Sequence, residues 1–289
     1  MTEIVSVTNL NKTYPGFQLK NVGFSIQPGR IMGFIGRNGA GKTTTMKSML
    51  NLVHTNSGEI RFFGLDIHQH EFEIKQRLSF LSGGVNYYAQ CKLERISAVY
   101  RRFYSSWDER LYRDYLSRFG LDPQKRIKEL SQGMSIKFGL ALGLSHHSEL
   151  LILDEPTSGL DPISRDEILT IFEQIVDQEG TTIFFSTHIT SDLDKCADDV
   201  TYIRDGKIVA SMGREALVDS WRVVEGRTDE LTDDLRGKLT GFHERRGEFS
   251  GLLRKEDLEK ARGFKVSGAD LEAIMVYSER TAASEEPSL

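Results

Sequence analysis

Apolar residues follow two rhythms along this chain. Near the start they alternate with polar ones, in Ile4-Val5-Ser6-Val7 and Val22-Gly23-Phe24-Ser25-Ile26. Period two marks strands with one buried face. The first reads as an edge strand followed by a turn cluster, Asn11 to Gly16, and Pro28-Gly29 closes the second. Later runs are continuous: Ile31–Ile35, Leu78–Leu81, Leu150–Leu153 and Thr181–Phe185. Unbroken apolar runs of this length fit strands buried on both faces of a parallel sheet. Between them the spacing turns helical, at Met46, Met49, Leu50 and Val53, and again at Ile163, Ile168, Ile171, Phe172 and Ile175. A short helix ends over Ile74 to Arg77. Asn56-Ser57-Gly58 is a turn before a strand over 59–64, and Asp205-Gly206 joins 200–203 to 207–210 as a hairpin. The pattern predicts an α/β domain with an antiparallel β layer beside its main sheet.

Two regions break that pattern. From 85 to 145 aromatics and arginines dominate, and Leu111, Tyr115, Leu116 and Phe119 are spaced as a helix that Gly120 to Pro123 stops. This is a helical insertion, with aromatics inward and arginines solvated in preference to an RNA-stacking surface. Past Gly213, strands are expected over 221–225 and 247–253, with the charged run 225–247 as a solvated face. Ser267 is placed to cap a helix carrying Leu271, Ile274 and Met275, and Thr281 to Leu289 reads as a disordered tail. The expected division is 1–213, with the insertion at about 85–145, and a small α+β appendage at 214–289 with a flexible tail.

Composition narrows the class without naming a chemistry. The 289 residues include 39% hydrophobic residues and 26 glycines, an ordinary globular balance. No run reaches membrane-span length and Met1-Thr2-Glu3 opens no signal peptide, so a cytosolic protein is expected. Cys91 and Cys196 form no framework and no metal spacing. A net charge of −5 argues against a dedicated nucleic-acid binder and leaves a local basic patch open. His68, His70, His146 and His147 lack the further ligands of a metal site and read as loop residues.

The chemistry sits in Gly36-Arg37-Asn38-Gly39-Ala40-Gly41-Lys42-Thr43-Thr44. Strand, glycine-rich loop and helix in that order, with the spacing G-x-x-x-x-G-K-S/T, form a phosphate-binding P-loop. Its glycines turn backbone N–H groups to one point, and the helix adds its positive end. Lys42 supplies a mobile charge for the β- and γ-phosphates, and Thr43 a hydroxyl for Mg²⁺. Asp154 and Glu155 end a buried strand, where ligands of open α/β sheets bind. Asp154 would hold Mg²⁺ through water and Glu155 would face the attacking water. His188 is either a surface or cap residue or, placed just past another buried strand, a group that can reach a γ-phosphate. Tyr14 is either a packing residue or a face for an adenine ring.

Over 1–213 the order of motifs resembles the ATP-binding subunit of an ABC transporter. The specific features are Leu130-Ser131-Gln132-Gly133-Met134, similar to the signature usually written LSGGQ, and the run Asp154 to Asp161, similar to the Walker B and D-loop segment. The resemblance implies an ATPase of the P-loop ABC fold that packs head to tail with a second ATPase subunit, the same or different. Each ATP is then sandwiched between one P-loop and the partner's signature, here Ser131, Gln132 and Gly133. It implies ATP and Mg²⁺ as cofactors, Lys42, Glu155 and His188 as the catalytic set, and Tyr14 as the adenine platform. It further implies a separate multispanning membrane subunit and a cytoplasmic, peripheral location on the inner face of the membrane. Two departures stand out: Gln132 and Met134 replace the usual glycine and glutamine, and no glutamine follows Leu81 in Ser82-Gly83-Gly84, Gln90 lying several residues later. These features look most like bacterial exporters. The rival is a soluble regulatory ABC-type ATPase acting on a protein or nucleic acid through 85–145 or 214–289.

Overall fold

The computed structural model describes residues 3–82 and 88–285. The chain divides into two compact units, 1–211 and 212–289. The first begins β1 (Val5–Tyr14), β2 (Phe17–Ile26), β3 (Ile31–Ile35), α1 (Lys42–Met49), β4 (Ser57–Phe62), β5 (Leu65–Asp66), α2 (Glu71–Gln76) and β6 (Leu78–Ser82). It continues α3 (Leu93–Phe103), α4 (Glu109–Arg118), α5 (Gln132–Leu144), β7 (Leu150–Asp154) and α6 (Pro162–Glu179). It closes with β8 (Thr182–Thr187), α7 (Thr190–Cys196), β9 (Asp199–Arg204) and β10 (Lys207–Gly213).

Two sheets result. An antiparallel one has the order β2-β1-β4-β5, and a second has the order β10-β9-β3-β8-β7-β6, parallel from β9 to β6. Phe24 of the first packs on Phe34 and Phe184 of the second, with ring centroids 5.7 and 5.6 Å apart. Each such pair contributes about 0.5–1.5 kcal/mol beyond its buried area. This aromatic seam holds the antiparallel layer to the sheet that bears the P-loop. β1 is no edge strand, since it pairs with β2 on one side and β4 on the other, and it runs on to Tyr14, leaving Pro15-Gly16 as the turn. Asp205 and Gly206 both take positive φ (47° and 71°) in the β9–β10 turn, the requirement of the tight hairpin turn.

The insertion carries α3, α4 and α5. Tyr112 and Tyr115 are buried in it, while Phe103 is 70% exposed. Helix α5 is apolar nearly all round, with Phe138, Leu140, Ala141 and Leu142 fully buried, so it is a core helix. His146 is no loop residue at the surface: it is 1% exposed and stacked on Tyr104 at 3.7 Å. Ile163, expected on the buried stripe of α6, is 82% exposed. Part of the 82–84 linker and the start of the insertion fall at 83–87, outside the described residues.

The second unit holds α8 (Arg214–Asp219), β11 (Trp221–Arg227), α9 (Asp233–Arg236), β12 (Thr240–Arg245), β13 (Glu248–Arg254), β14 (Lys265–Gly268) and α10 (Leu271–Glu285). Its sheet has the order β12-β13-β11-β14. The charged run 225–247 is more than a solvated face: Leu235 is fully buried, and Leu231, Leu239 and Phe242 pack on the same core with Val224 and Phe249. Ser267 lies within β14, paired with Val223, and caps nothing. Asp270 does that work, its carboxylate accepting from Ala273 N at 2.7 Å. The expected flexible tail is helical as far as Glu285, and 286–289 lie outside the described residues.

Candidate functional site

The site is built at the carboxyl ends of β3, β7 and β8. The loop after β3 turns into α1 through Gly41, whose φ of 114° only glycine adopts readily. A Cβ on Gly41 would also lie 2.7 Å from Leu19 and 2.9 Å from Phe17. Phe17 pairs with Tyr14 across the β1–β2 turn, so the antiparallel layer brings Tyr14, 39% exposed, beside the P-loop. Gly36, Ala40 and Gly41 are buried, while Arg37, Asn38 and Gly39 are exposed on the loop's outer turn and Thr44 is half-buried.

Lys42 is buried at the first turn of α1. Its Nζ donates to the carbonyls of Gly36 (2.7 Å) and Arg37 (3.3 Å) and lies 3.0 Å from Glu155 Oε1. Thr43 Oγ1 donates to Asp154 Oδ2 at 2.8 Å. Ser186 Oγ donates to the other oxygen, Oδ1, at 2.7 Å and accepts from Glu155 N at 2.9 Å. One hydroxyl on β8 therefore orients both carboxylate residues that end β7. Glu155 itself has φ of 51°, a left-handed conformation that costs a non-glycine residue on the order of 1 kcal/mol or more. The bond to Ser186 and the charge pairs help hold it there. His188 Nδ1 is 2.8 Å from Glu155 Oε2. A carboxylate only accepts, so Nδ1 carries the proton.

Lys42, Thr43, Asp154, Glu155 and His188 thus form one connected cluster. The donor set at Thr43 and Asp154 is a hydroxyl and a carboxylate. These hard oxygens suit Mg²⁺, which takes its other ligands from phosphate and water.

Ser131, Gln132 and Gly133 stand apart from that cluster's hydrogen bonds. Ser131 caps α5, its Oγ accepting from Met134 N at 3.2 Å. The Gln132 side chain donates to Ser158 O at 2.5 Å, so it is engaged with the loop after β7. Sequence reasoning did not single out Ser186, Asp192 or Thr157. Asp192 is fully buried and accepts from Thr157 Oγ1 (2.6 Å) and Thr187 Oγ1 (3.1 Å). Only Ser186 carried a signal, as a hydroxyl directly after the apolar run Ile183-Phe184-Phe185; Thr157 and Asp192 lie in polar sequence. Among the described residues no helix is long and apolar enough to cross a membrane.

Residues 19–158 match the ABC transporter family. The chain is 33% identical over 212 residues to the bacitracin transport ATP-binding protein BcrA of Bacillus licheniformis, spanning 72% of this chain and 69% of that protein. It is 26% identical over 260 residues to the ABC transporter ATP-binding protein YtrB of Bacillus subtilis, spanning 89% of each. Among solved structures, an ATP-binding subunit of an ABC transporter superposes with a TM-score of 0.67 at 24% identity, over 74% of this chain and 91% of that one.

Proposed function

The chain belongs to the ABC transporter ATP-binding proteins, ATPases coupled to transport, and from that premise we propose that it energises export through a separate multispanning membrane subunit. Two ATPase subunits, identical or related, pack head to tail around ATP. Hydrolysis opens them again, and the alternation drives the membrane partner. The chain then works in the cytoplasm, peripheral to the inner face of the membrane.

The observation that carries the hydrolytic part is the position of Glu155, in contact with Lys42 on one side (3.0 Å) and His188 on the other (2.8 Å). A phosphate drawn to Lys42 and the P-loop N–H groups meets a carboxylate and an imidazole together. Lys42 offsets phosphate charge, Glu155 polarises water for in-line attack, and His188 stabilises charge as the bond breaks. Thr43 and Asp154 would hold Mg²⁺, which when bound neutralises charge on the β- and γ-phosphates. Tyr14 would stack on the adenine. Ser131 and Gly133 present donors at the start of α5 to the nucleotide of the other subunit. Gln132 would join them in the signature, its side chain bonded to Ser158 O in the single subunit.

Export rests on the resemblance to BcrA, a bacitracin transport protein. The membrane partner is supported by a groove of about 390 Å³ in the first unit, lined by Phe72, Val99, Tyr100 and Phe103. Phe72 is 77% exposed and Phe103 70%, and clustered apolar exposure of this kind marks an interaction surface. Affinity purification from detergent-solubilised membranes of the native host tests this reading. A multispanning protein recovered with the wild type and lost with Phe103→Glu supports it. A salt-sensitive nucleic acid in its place supports the regulatory rival.

A further inference from the structure

Asp192 sits in α7 with no exposed surface. An ionised carboxylate in that position is costly unless donors surround it. Its Oδ2 accepts two hydroxyls, from Thr157 at 2.6 Å and Thr187 at 3.1 Å. Thr157 follows Glu155 by two residues and Thr187 directly precedes His188. The Thr187 hydroxyl also accepts from Ile189 N at 3.0 Å, which fixes the backbone on the other side of His188. Arg165 Nε lies 3.9 Å from Asp192 Oδ1 and brings a compensating charge from α6. The same arginine donates to Leu160 O at 3.4 Å. One buried carboxylate therefore ties together the two loops that carry Glu155 and His188.

We propose that Asp192 is a positioning residue for ATP hydrolysis, setting the Glu155–His188 contact by holding Thr157 and Thr187 on one oxygen. The inference rests on the reading of Glu155 and His188 as the hydrolytic pair. Asp192 bonds to the two threonines and its effect on Glu155 and His188 passes through them. Displacing reacting groups by about 1 Å costs on the order of 100-fold in rate while leaving binding nearly intact. That separates positioning from a general loss of fold.

The test compares steady-state ATP hydrolysis, affinity for a fluorescent ATP analogue and melting temperature across variants of the full chain. Asp192→Ala is expected to lower kcat about 100-fold, with KM and analogue affinity within about twofold of wild type. Asp192→Asn keeps a carbonyl oxygen for both hydroxyls and is expected to stay within about fivefold of the wild-type kcat. Thr157→Val and Thr187→Val keep side-chain volume, report even if Asp192→Ala fails to fold, and are expected to lower kcat without moving KM. Asp192→Ala combined with Thr157→Val should be no slower than Asp192→Ala alone. Wild-type kcat in the two valine variants, or equal losses in kcat and analogue affinity, overturns the proposal. Glu155→Gln serves as the separate arm. If it hydrolyses ATP at the wild-type rate, the hydrolytic reading itself fails. If it is inactive while the valine variants are fully active, only the role of Asp192 fails.

Discussion

Acidification tests the junction between the helical insertion and the sheet, because that junction buries a histidine. His146 is 1% exposed, its ring stacks on Tyr104 at 3.7 Å, and its Nε2 lies 3.2 Å from Ser79 Oγ on β6. Burial disfavours the imidazolium and pulls the pKa from 6.5 down to about 4. Between those values the unfolded chain binds a proton that the folded chain refuses. Stability from this site is therefore complete above about pH 6.5 and is lost as pH falls toward 4. The depressed pKa corresponds to about 3 kcal/mol over the whole window. His146→Phe keeps the stacked ring and removes the titration. It also removes the partner of the Ser79 hydroxyl, at a cost of about 1 kcal/mol at neutral pH. The two stability curves are then expected to cross between about pH 5 and 6, with the variant the more stable below the crossing. Thermal unfolding of both proteins from pH 4.5 to 8 provides the measurement. The difference in melting temperature is the quantity to follow, since surface carboxylates such as Asp108, held low by backbone N–H groups of Leu111 and Arg110, titrate in both proteins and cancel. A constant difference across the range would mean that His146 does not titrate differently in the folded and unfolded chains.

The P-loop and Tyr14, the proposed adenine platform, give two further expectations. A Cβ on Gly36 would lie 2.4 Å from the Ile203 carbonyl oxygen and 3.0 Å from its Cγ2, so Gly36→Ala should cost about 1–3 kcal/mol and weaken ATP binding at least about tenfold, as read by melting temperature and nucleotide titration. Tyr14→Ala, at a partly exposed side chain, should change stability by less than about 0.5 kcal/mol yet weaken ATP binding by about 1–3 kcal/mol, with Tyr14→Phe near wild type in the same titration.

The parts of the site that were legible in the sequence are those fixed by contiguous residues. A P-loop needs strand, glycines, lysine and helix in one stretch, and these read directly from 31–50, although the helix stops at Met49 and leaves Val53, expected on its stripe, outside it. Asp154 and Glu155 were legible because carboxylates ending a buried run must reach a ligand crevice. The supporting residues were not, because their partners lie far along the chain: Ser186 serves Asp154 and Glu155 from another strand, and Asp192 serves Thr157 from another helix. Asp192 is buried in α7 with Leu193 and Cys196, but the polar residues around it in the sequence did not mark it out. Elsewhere, local rules competed. Ser267 and Asp270 both precede the apolar stripe of α10 and both are residue types that favour caps, but strand pairing with Val223 claims Ser267 and only Asp270 caps the helix. Alternation over 4–7 revealed one buried face of β1 but carried no information on its two hydrogen-bonded neighbours. In 225–247 the charges masked Leu231, Leu235 and Leu239, which stand at helical intervals and build the second unit's core. Gln132 read as a departure from the usual signature glycine, and nothing in the sequence signalled that its side chain bonds to Ser158 O.

The proposed mechanism stands or falls with Glu155, as the residue at which ATP bound between two ATPase subunits is hydrolysed. Purified Glu155→Gln protein, incubated with ATP and Mg²⁺, tests it by light scattering coupled to gel filtration with phosphate release measured on the same sample. Turnover is expected to fall by about 100-fold or more, with a dimer that persists with ATP and is absent with ADP. Phosphate release at the wild-type rate from a protein that stays monomeric would contradict the mechanism.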